Sequence, residues 1–231
     1  MSSTDELTAK ALKAWRFMYR RGFIEGFGHI AFRVPGADQF FLTRHSLALE
    51  AEPEDFLLVD MKGRKLAGRG DMPGEFPIHL EIFRARPDVN SITHYHGMYS
   101  TAFTTSGRTL GPIHLMGTLF HDGVPTYPDP RLVSTTERGE AVAKSLGTHR
   151  AVLLYAHGAV ITGASIEETV GGAFLFEENA HRAVVSATLG AVNYIGDKMA
   201  HDAGEELLKS RGPFRRVWAM VEAEGQYKKL L

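Results

Sequence analysis

Two pairs of short apolar runs, each joined by a tight turn, constrain the fold of this chain more than any other feature of its sequence. The runs at residues 29–33 and 39–43 flank Pro35-Gly36-Ala37-Asp38, and a second pair follows at residues 57–60 and 65–67. Proline, glycine and aspartate between strand-like runs are typical of β-hairpins. Hairpins join antiparallel strands, whereas a parallel βαβ arrangement needs a long crossover. The early part of the chain therefore predicts antiparallel pairing.

Helices and further strands follow these hairpins. Apolar residues recur at helical spacing, and proline or glycine ends several of the segments. The predicted helices cover the N-terminal segment to about Gly22, residues 74–86, 98–105, 134–146 and 165–189, and two shorter segments beyond Gly204 and Pro213. The later predicted strands are the segment that ends at His94-Tyr95-His96, residues 151–155 and residues 159–162. This mixture predicts an α/β sandwich around a mostly antiparallel sheet, without fixing the strand order.

Composition favours a single domain over residues 1–231, because 44% of the residues are hydrophobic and can form a substantial core. The net charge of −1, without basic runs interleaved with aromatics, argues against nucleic acid as a partner. Since no apolar run has membrane-spanning length and the first residues are polar and acidic, we expect no membrane association and a cytoplasmic protein. With no cysteine, any transition-metal site must use His with Asp or Glu.

Three histidines are spaced so that they can share one metal ion. His94 and His96 lie two residues apart on a predicted strand, so their side chains point to the same side. His157 follows another strand-like run and precedes Gly158. Three imidazoles leave coordination positions open for water or substrate, as in catalytic metal sites. Taken singly, each of the eleven histidines has an ordinary explanation as a surface or core residue, so the prediction depends on the set.

Glu75 begins the helix predicted over residues 74–86, where the helix dipole favours a carboxylate. Beside a metal with open positions, Glu75 is also a candidate fourth ligand that transfers a proton once substrate displaces it. Such a metal polarises a chelated carbonyl, hydroxyl or carboxylate, which favours hydrolysis or bond cleavage beside a carbonyl group. We expect one divalent transition metal per subunit, and His with carboxylate suits Mn, Fe, Co or Zn.

An ordered set of motifs resembles the class II aldolase/adducin family over roughly residues 5–195. The set comprises Glu75-Phe-Pro-Ile-His79, Ala85-Arg-Pro-Asp-Val89, His94-Tyr-His96, His157-Gly158 and the segment 169–178. The resemblance implies a three-layer α/β/α sandwich with a central, mostly antiparallel sheet. It also implies a ring-shaped homotetramer whose active sites lie between subunits. By the same resemblance, His94, His96 and His157 are metal ligands, and Glu75 is a ligand at rest or an acid/base catalyst.

Departures from the family's sugar-phosphate aldolases and epimerases predict a substrate without phosphate. Those enzymes cradle a phosphate with Gly-Asn, Thr-Gly or Ser-Gly, and Ser-Ser pairs. This chain has Gly28-His29, Thr43-Arg44 and Pro73-Gly74 at the matching places. Proline has no amide donor, and neither Pro73 nor Gly74 has a hydroxyl group. The tyrosine that some family aldolases supply from a neighbouring subunit is replaced by Leu115.

Cationic side chains take the place of the missing phosphate donors. His29 is a candidate catalytic residue with Glu75, and the candidate substrate-binding residues are Arg44, His45, Arg108 and His121. An arginine fork suits a planar carboxylate, although a surface ion pair is an equally ordinary role for Arg44 or Arg108. We therefore expect a small carboxylate as substrate.

Two short motifs resemble the family's decarboxylase branch, which acts on hydroxylated aromatic or heteroaromatic carboxylates. They are Gly28-His29 and Phe120-His-Asp-Gly123. Phe23, Phe27 and Tyr127 are candidates for a wall that binds a ring, or else are core residues. The leading hypothesis is therefore a metal-dependent lyase that decarboxylates a non-phosphorylated aromatic or heteroaromatic hydroxy-carboxylate.

Three alternatives stay open. An aldolase or epimerase acting on a non-phosphorylated hydroxy-keto acid would use the same site, and so would an iron-dependent oxygenase. An adducin-like assembly module that is not an enzyme would not need the metal ligands. In an oligomer, residues 107–130 and 214–227 are candidates for the subunit interface, and the C-terminal helices from about residue 197 are candidates for closing the active site.

Overall fold

The computed structural model of the protein describes residues 3–227, and its strands form one eight-stranded sheet. In chain order the strands are β1 (His29–Arg33), β2 (Gln39–Thr43), β3 (Phe56–Asp60), β4 (Lys65–Ala67), β5 (Ser91–Tyr95), β6 (Thr126–Tyr127), β7 (Ala151–Leu154) and β8 (Gly158–Gly163). Their order across the sheet is β4-β3-β2-β1-β5-β8-β7-β6. Only β6 and β7 pair in parallel. The predicted hairpins and the mostly antiparallel sheet are therefore confirmed.

The helices of the described chain lie close to their predicted positions. They are α1 (Ser3–Arg20), α2 (Phe76–Ala85), α3 (Met98–Thr105), α4 (Thr136–Leu146), α5 (Ile166–Leu189), α6 (Asp197–Ser210) and α7 (Gly212–Tyr227). Two of them have a side-chain N-cap. Thr135 accepts a hydrogen bond from the N–H of Arg138 at the start of α4, and Ser165 accepts one from the N–H of Glu168 at the start of α5. Two short 3₁₀ helices cover Pro53–Asp55 and Leu115–Phe120.

Two apolar cores, one on each face of the sheet, produce a three-layer α/β/α sandwich. Successive strand residues point to opposite faces. In β5, Ile92 packs into the core formed with α2 and α4, whereas Tyr95 packs into the core formed with α1, α3, α5 and α7. His94, two residues after Ile92, therefore points toward the face that α2 covers.

The structure corrects the reading of the segment around Gly204. The sequence predicts that the C-terminal helices begin beyond this glycine, but Gly204 lies inside α6. A Cβ atom at Gly204 would lie 2.3 Å from both His121 Cδ2 and the carbonyl oxygen of Thr118. Glycine is thus needed for close packing of α6 on the 3₁₀ helix Leu115–Phe120. The prediction that the helix begins only after Gly204 is wrong.

The segment 107–130, for which no helix or strand was predicted, contains that 3₁₀ helix and the two-residue strand β6. Neither has a periodic pattern long enough to be recognised from sequence. Both depend on partners distant in the chain, because β6 pairs with β7 and the 3₁₀ helix packs on α6.

α6 begins at Asp197, where the segment that is a candidate for closing the active site also begins. α7 packs on α1 and α5. A cavity of about 1070 Å³ beside α7 is lined in part by Asn90, Ala164 and Trp218, at the end of β5 opposite to His94. Closure of the active site by these helices stays a prediction.

The single-domain prediction over residues 1–231 also stays a prediction, and residues 1–2 and 228–231 lie outside the described residues. Among the helices of residues 3–227, none combines the length and apolar character needed to cross a bilayer.

Candidate metal centre

Four side chains converge where the central strands of the sheet end. His94 lies near the end of β5, and His96 follows that strand. His157 lies in the turn between β7 and β8, and Glu75 immediately precedes α2. One ligand atom from each of the four lies within 4.8 Å of the other three. The predicted metal-binding residues are thus brought together.

The orientation of the His94 ring is fixed by a backbone carbonyl. His94 Nδ1 lies 3.1 Å from the oxygen of Ala159 on β8. A carbonyl oxygen only accepts, so Nδ1 carries the hydrogen and Nε2 presents a lone pair. That lone pair faces His96 Nε2 at 3.2 Å and Glu75 Oε2 at 3.4 Å. Imidazole nitrogens and a carboxylate oxygen that converge in this way are ligand types of a divalent transition metal, so the donor set fits such an ion.

The surroundings lower the pKa values of two members of the site, His96 and Glu75. His94 is fully buried and Glu75 is 5% exposed. Burial, with the neighbouring His94 and His157, lowers the pKa of His96 to about 3. Burial alone would raise the pKa of Glu75, but its contacts with His157 and His94 outweigh burial and hold that pKa well below its ordinary value. Neutral imidazoles and an ionised carboxylate are the forms that bind metals.

Glu75 is anchored through one carboxylate oxygen and free to act through the other. Its Oε1 accepts a hydrogen bond from the backbone N–H of Val133 at 3.1 Å. Its Oε2 lies 3.4 Å from His157 Nε2, the same distance as from His94 Nε2. This arrangement leaves Oε2 available to a metal ion or to a proton.

Glycines next to the histidines permit the close approach of the chain segments that carry them. A Cβ atom at Gly158, beside His157, would lie 2.4 Å from the carbonyl oxygen of Tyr95. Atoms of a real side chain do not approach a carbonyl oxygen that closely. The turn with His157 can therefore reach the end of β5 only with glycine at this position.

His29 lies beside the four-residue cluster, in agreement with its predicted place near the site. It is the cross-strand partner of His94 in the pairing of β1 with β5, and the two ring centroids are 5.7 Å apart. Burial, together with the nearby His79 and His94, lowers the pKa of His29 well below its ordinary value. His29 is thus a neutral, buried imidazole at the edge of the cluster.

His79 is a buried residue of the site that the sequence analysis did not select. Its ring centroid lies 5.6 Å from that of His29. Burial, with His94 nearby, lowers its pKa to about 3. Neither His79 nitrogen has a hydrogen-bond partner among the described residues, nor has Nδ1 of His29. His79 follows Glu75 by four residues, so His79 lies on the side of α2 that begins at Glu75. This spacing is the sequence signal that could have selected His79.

Arg44 and His45 lie on a loop next to the segment that leads into Glu75. The backbone N–H of His45 donates to the carbonyl oxygen of Asp71 at 2.9 Å. The Arg44 side chain is already engaged, because its Nε donates to the buried Asp55 at 2.7 Å and its Nη1 donates to the carbonyl oxygens of His45 and Ser46. A substrate-binding role for Arg44 and His45 stays a prediction.

Arg108 and His121 are not brought to the cluster of their own chain. His121 Nε2 lies 3.1 Å from Glu205 of α6, and its ring is 4.9 Å from that of His201. Arg108 is exposed and lines a groove of about 300 Å³ with residues of α5. A substrate-binding role for Arg108 and His121 stays a prediction.

Four exposed apolar side chains contact the cluster or lie within two residues of a cluster member or of its hydrogen-bond partner. Phe27 is 68% exposed and stacks on the His96 ring with centroids 5.9 Å apart. Met98 and Tyr155 each lie two residues from a histidine of the cluster, and Leu132 adjoins the residue that donates to Glu75. All three are exposed. We call these four residues the apolar rim.

The other two aromatic residues predicted for a ring-binding wall are in the core. Phe23 packs on Tyr95 with ring centroids 5.5 Å apart, and Tyr127 is 6% exposed. Within the described residues, Phe27 alone of the three is presented at the site.

Known proteins resemble this chain in sequence and in fold. A sequence model described as the class II aldolase and adducin N-terminal domain matches residues 9–184. The chain is 31% identical to a 3,4-dihydroxyphthalate decarboxylase from Rhodococcus jostii over 207 residues. The aligned region covers 81% of this chain and 84% of that protein. The chain is 28% identical over 172 residues to a 5-methylthioribulose-1-phosphate/5-deoxyribulose-1-phosphate aldolase from Escherichia coli, covering 71% and 77% of the two chains.

The fold is similar to the crystal structure of an aldolase II superfamily protein from Pseudomonas syringae. The TM-score is 0.86 at 20% identity, over 97% of this chain and 93% of that one. At this identity the similarity concerns the fold alone, and it agrees with the predicted three-layer sandwich.

Proposed function

The chain belongs to the class II aldolase and adducin family, and on this premise we propose that it is a metal-dependent carbon–carbon lyase that decarboxylates a non-phosphorylated aromatic or heteroaromatic hydroxy-carboxylate. The observation that carries the proposal is the cluster of three histidines and Glu75 with the exposed Phe27 ring stacked on His96. An exposed aromatic ring suits an aromatic substrate, whereas a sugar phosphate needs a dense set of hydrogen-bond donors.

The metal would be held by His94, His96 and His157, with Glu75 as a further ligand before substrate binds. Bound there, a Mn, Fe, Co or Zn ion would supply Lewis acidity to a chelated hydroxyl and carboxylate. The Ala159 carbonyl maintains the ring tautomer of His94 that presents Nε2 to the ion.

Glu75 would act first as the base and then as the acid of the reaction. Its ionised Oε2 can accept the proton of the arriving substrate hydroxyl while Oε1 stays bonded to Val133. In the reaction the bond between the ring carbon and the carboxylate breaks, CO2 leaves, and the electron pair stays on the ring carbon. Glu75 then gives its proton to that carbon.

His29 and the apolar rim would orient the substrate. His29, beside His94, can donate a hydrogen bond to a second carboxylate on the ring. Phe27 lies parallel to the His96 ring, with an interplanar angle of 16°, and leaves its outer face open for a substrate ring.

Carbon dioxide release from a panel of substrates tests the proposal. Metal-loaded enzyme is incubated with hydroxylated phthalates, including 3,4-dihydroxyphthalate, and with hydroxylated pyridine dicarboxylates. We expect CO2 from at least one of them and no pyruvate from a hydroxy-keto acid. No CO2 from any member, together with pyruvate release in a coupled assay, would contradict the decarboxylase and support an aldolase.

The proposal includes a homotetramer with active sites between subunits. The surface available for contacts between subunits includes three exposed side chains, those of Arg108, Val185 and Leu189. Sedimentation equilibrium should give four times the 25.5 kDa chain mass.

A further inference from the structure

Glu177 on α5 reaches the first turn of α3, directly after His96. This carboxylate is only 4% exposed. Its Oε1 accepts a hydrogen bond from the backbone N–H of Tyr99 at 2.6 Å, and both of its oxygens lie 3.3 Å from the backbone nitrogen of Ser100. The first N–H groups of a helix have no partner within the helix. Glu177 supplies that partner, since the N-cap residue Gly97 has no side chain.

The turn at the start of α3 is held against α5 at two further points. A Cβ atom at Gly97 would lie 2.3 Å from Glu177 Oε2, so the carboxylate fills the space that a larger residue would need. The Tyr99 ring stacks on His181, one helical turn beyond Glu177, with centroids 4.1 Å apart. The start of α3 is therefore fixed by contacts from α5.

His96 depends on this turn more than the other ligands do. β5 ends at Tyr95, so His96 lies outside the ladder of the strand that carries His94. Its backbone N–H donates to the carbonyl oxygen of Phe23 at 3.3 Å, a long hydrogen bond. The segment that follows His96 must therefore contribute to its position.

We propose that Glu177 is a positioning residue for the metal centre, which caps α3 and thereby holds the His96 ring toward His94 and His157. Burial raises the pKa of Glu177 against the opposing hydrogen bonds from Ser100 and Tyr99. A buried carboxylate thus has an energetic cost here, and the backbone N–H groups of α3 offset it. The inference rests on the metal site of the proposed function and is independent of the substrate.

Titration with Co²⁺ tests this inference without any assay of turnover. Apo-protein is titrated in competition with a chelator, and the visible absorption of bound Co²⁺ reports the geometry of its ligands. We expect Glu177→Ala to weaken Co²⁺ binding about 10- to 100-fold and to change the spectrum. Glu177→Gln keeps one acceptor oxygen for the Tyr99 N–H and should recover part of the affinity. Glu178→Gln is the matched control, because Glu178 pairs with Arg182 at the helix surface and should bind Co²⁺ like the wild type.

The outcomes separate the inference from the metal site itself. If the wild type binds no Co²⁺, the metal site and the inference both fail. If Glu177→Ala melts at a lower temperature but binds Co²⁺ with unchanged affinity and spectrum, Glu177 has only a structural role and the inference is overturned. If Glu177→Ala does not fold, Gly97→Ala replaces it, since the added methyl group displaces the carboxylate. Unchanged Co²⁺ binding in a folded Gly97→Ala variant would likewise overturn it.

Discussion

Phe27 leaves two-thirds of its surface in solvent beside the candidate metal centre, although it stacks on one of its histidines. Stacking on His96 keeps the ring in place, and its outer face is free. Single exposed apolar residues are common on proteins, but the Phe27 ring contacts a histidine of the cluster directly. At the scale of residues, the site therefore combines polar histidines and Glu75 with one exposed aromatic ring.

Replacing Phe27 should weaken the binding of an aromatic substrate without slowing the chemical step. Phe27→Leu keeps an apolar surface and removes the π system, which contributes about 0.5–1.5 kcal/mol in aromatic pairs. We expect KM to rise about two- to tenfold with little change in kcat, as measured by steady-state CO2 release. Leu66→Ala, at an exposed position on the edge strand β4, is the control. Equal KM values for Phe27→Leu and the wild type would remove Phe27 from substrate binding.

At the scale of secondary-structure elements, the site depends on how closely the turn between β7 and β8 approaches the end of β5. His157 enters the cluster from that turn, and Ala156 before it adopts a positive φ of 51°. β5 and β8 are neighbours in the sheet, so the turn and the His94 strand meet at the same end.

Gly158→Ala should therefore damage both folding and metal binding. The added Cβ would collide with the Tyr95 carbonyl oxygen, and such overpacking typically costs about 1–3 kcal/mol. Urea unfolding measures the loss of stability, and the Co²⁺ titration measures the loss of metal affinity. Gly196→Ala is the matched control, because a Cβ there meets no atom within 4 Å. Wild-type metal affinity in Gly158→Ala would mean that the turn does not position His157.

At the scale of the whole molecule, local patterns predicted much of the fold. Turn residues around Pro35-Gly36 identified the first hairpin, and the spacing of His94 and His96 predicted that both side chains face the same point, because each pattern lies within a few residues. The position of Glu75 at a helix start was equally local. His157 was selected because it follows a second strand-like run and precedes Gly158, and the family resemblance then implied the same set of residues.

The remaining features depend on contacts between distant segments, which a sequence pattern does not contain. The strand order places β1 between β2 and β5, and β6 has only two residues that extend the sheet beside β7. Gly204 was misread because its role is to accept the 3₁₀ helix Leu115–Phe120 rather than to end a helix. Glu177 was noted only within a family motif, since its partners lie 77 and 78 residues away.

Acid sensitivity of the whole fold should depend on Asp55. This carboxylate is 1% exposed and accepts hydrogen bonds from Arg44, Arg69 and the backbone N–H of Glu52. Burial raises its pKa, but the Glu52, Arg44 and Arg69 hydrogen bonds outweigh burial and lower the pKa below its ordinary value. A lowered folded-state pKa means that the stabilisation is fully present above the ordinary pKa of about 4 and is lost as the pH falls below that value through the lower folded-state pKa.

Asp55→Asn should therefore lose about 2–3 kcal/mol of unfolding free energy at pH 7 and less at pH 3. Urea unfolding at both pH values measures the difference. Asp88→Asn, whose aspartate is 65% exposed and pairs with Arg86, should cause little change. A loss in Asp55→Asn that is the same at pH 3 as at pH 7 would contradict ionisation of Asp55 as its cause.

Metal content measured beside turnover tests the metal-dependent lyase most directly. Wild type, His157→Ala and Glu75→Gln are reconstituted with each of Mn, Fe, Co and Zn, freed of excess ion, and assayed for bound metal and for CO2 release. We predict one ion per chain in the wild type and in Glu75→Gln, little or none in His157→Ala, and loss of most turnover in both variants. A full equivalent of metal in His157→Ala would contradict the assignment of the metal centre, and full turnover in Glu75→Gln would remove Glu75 from the mechanism.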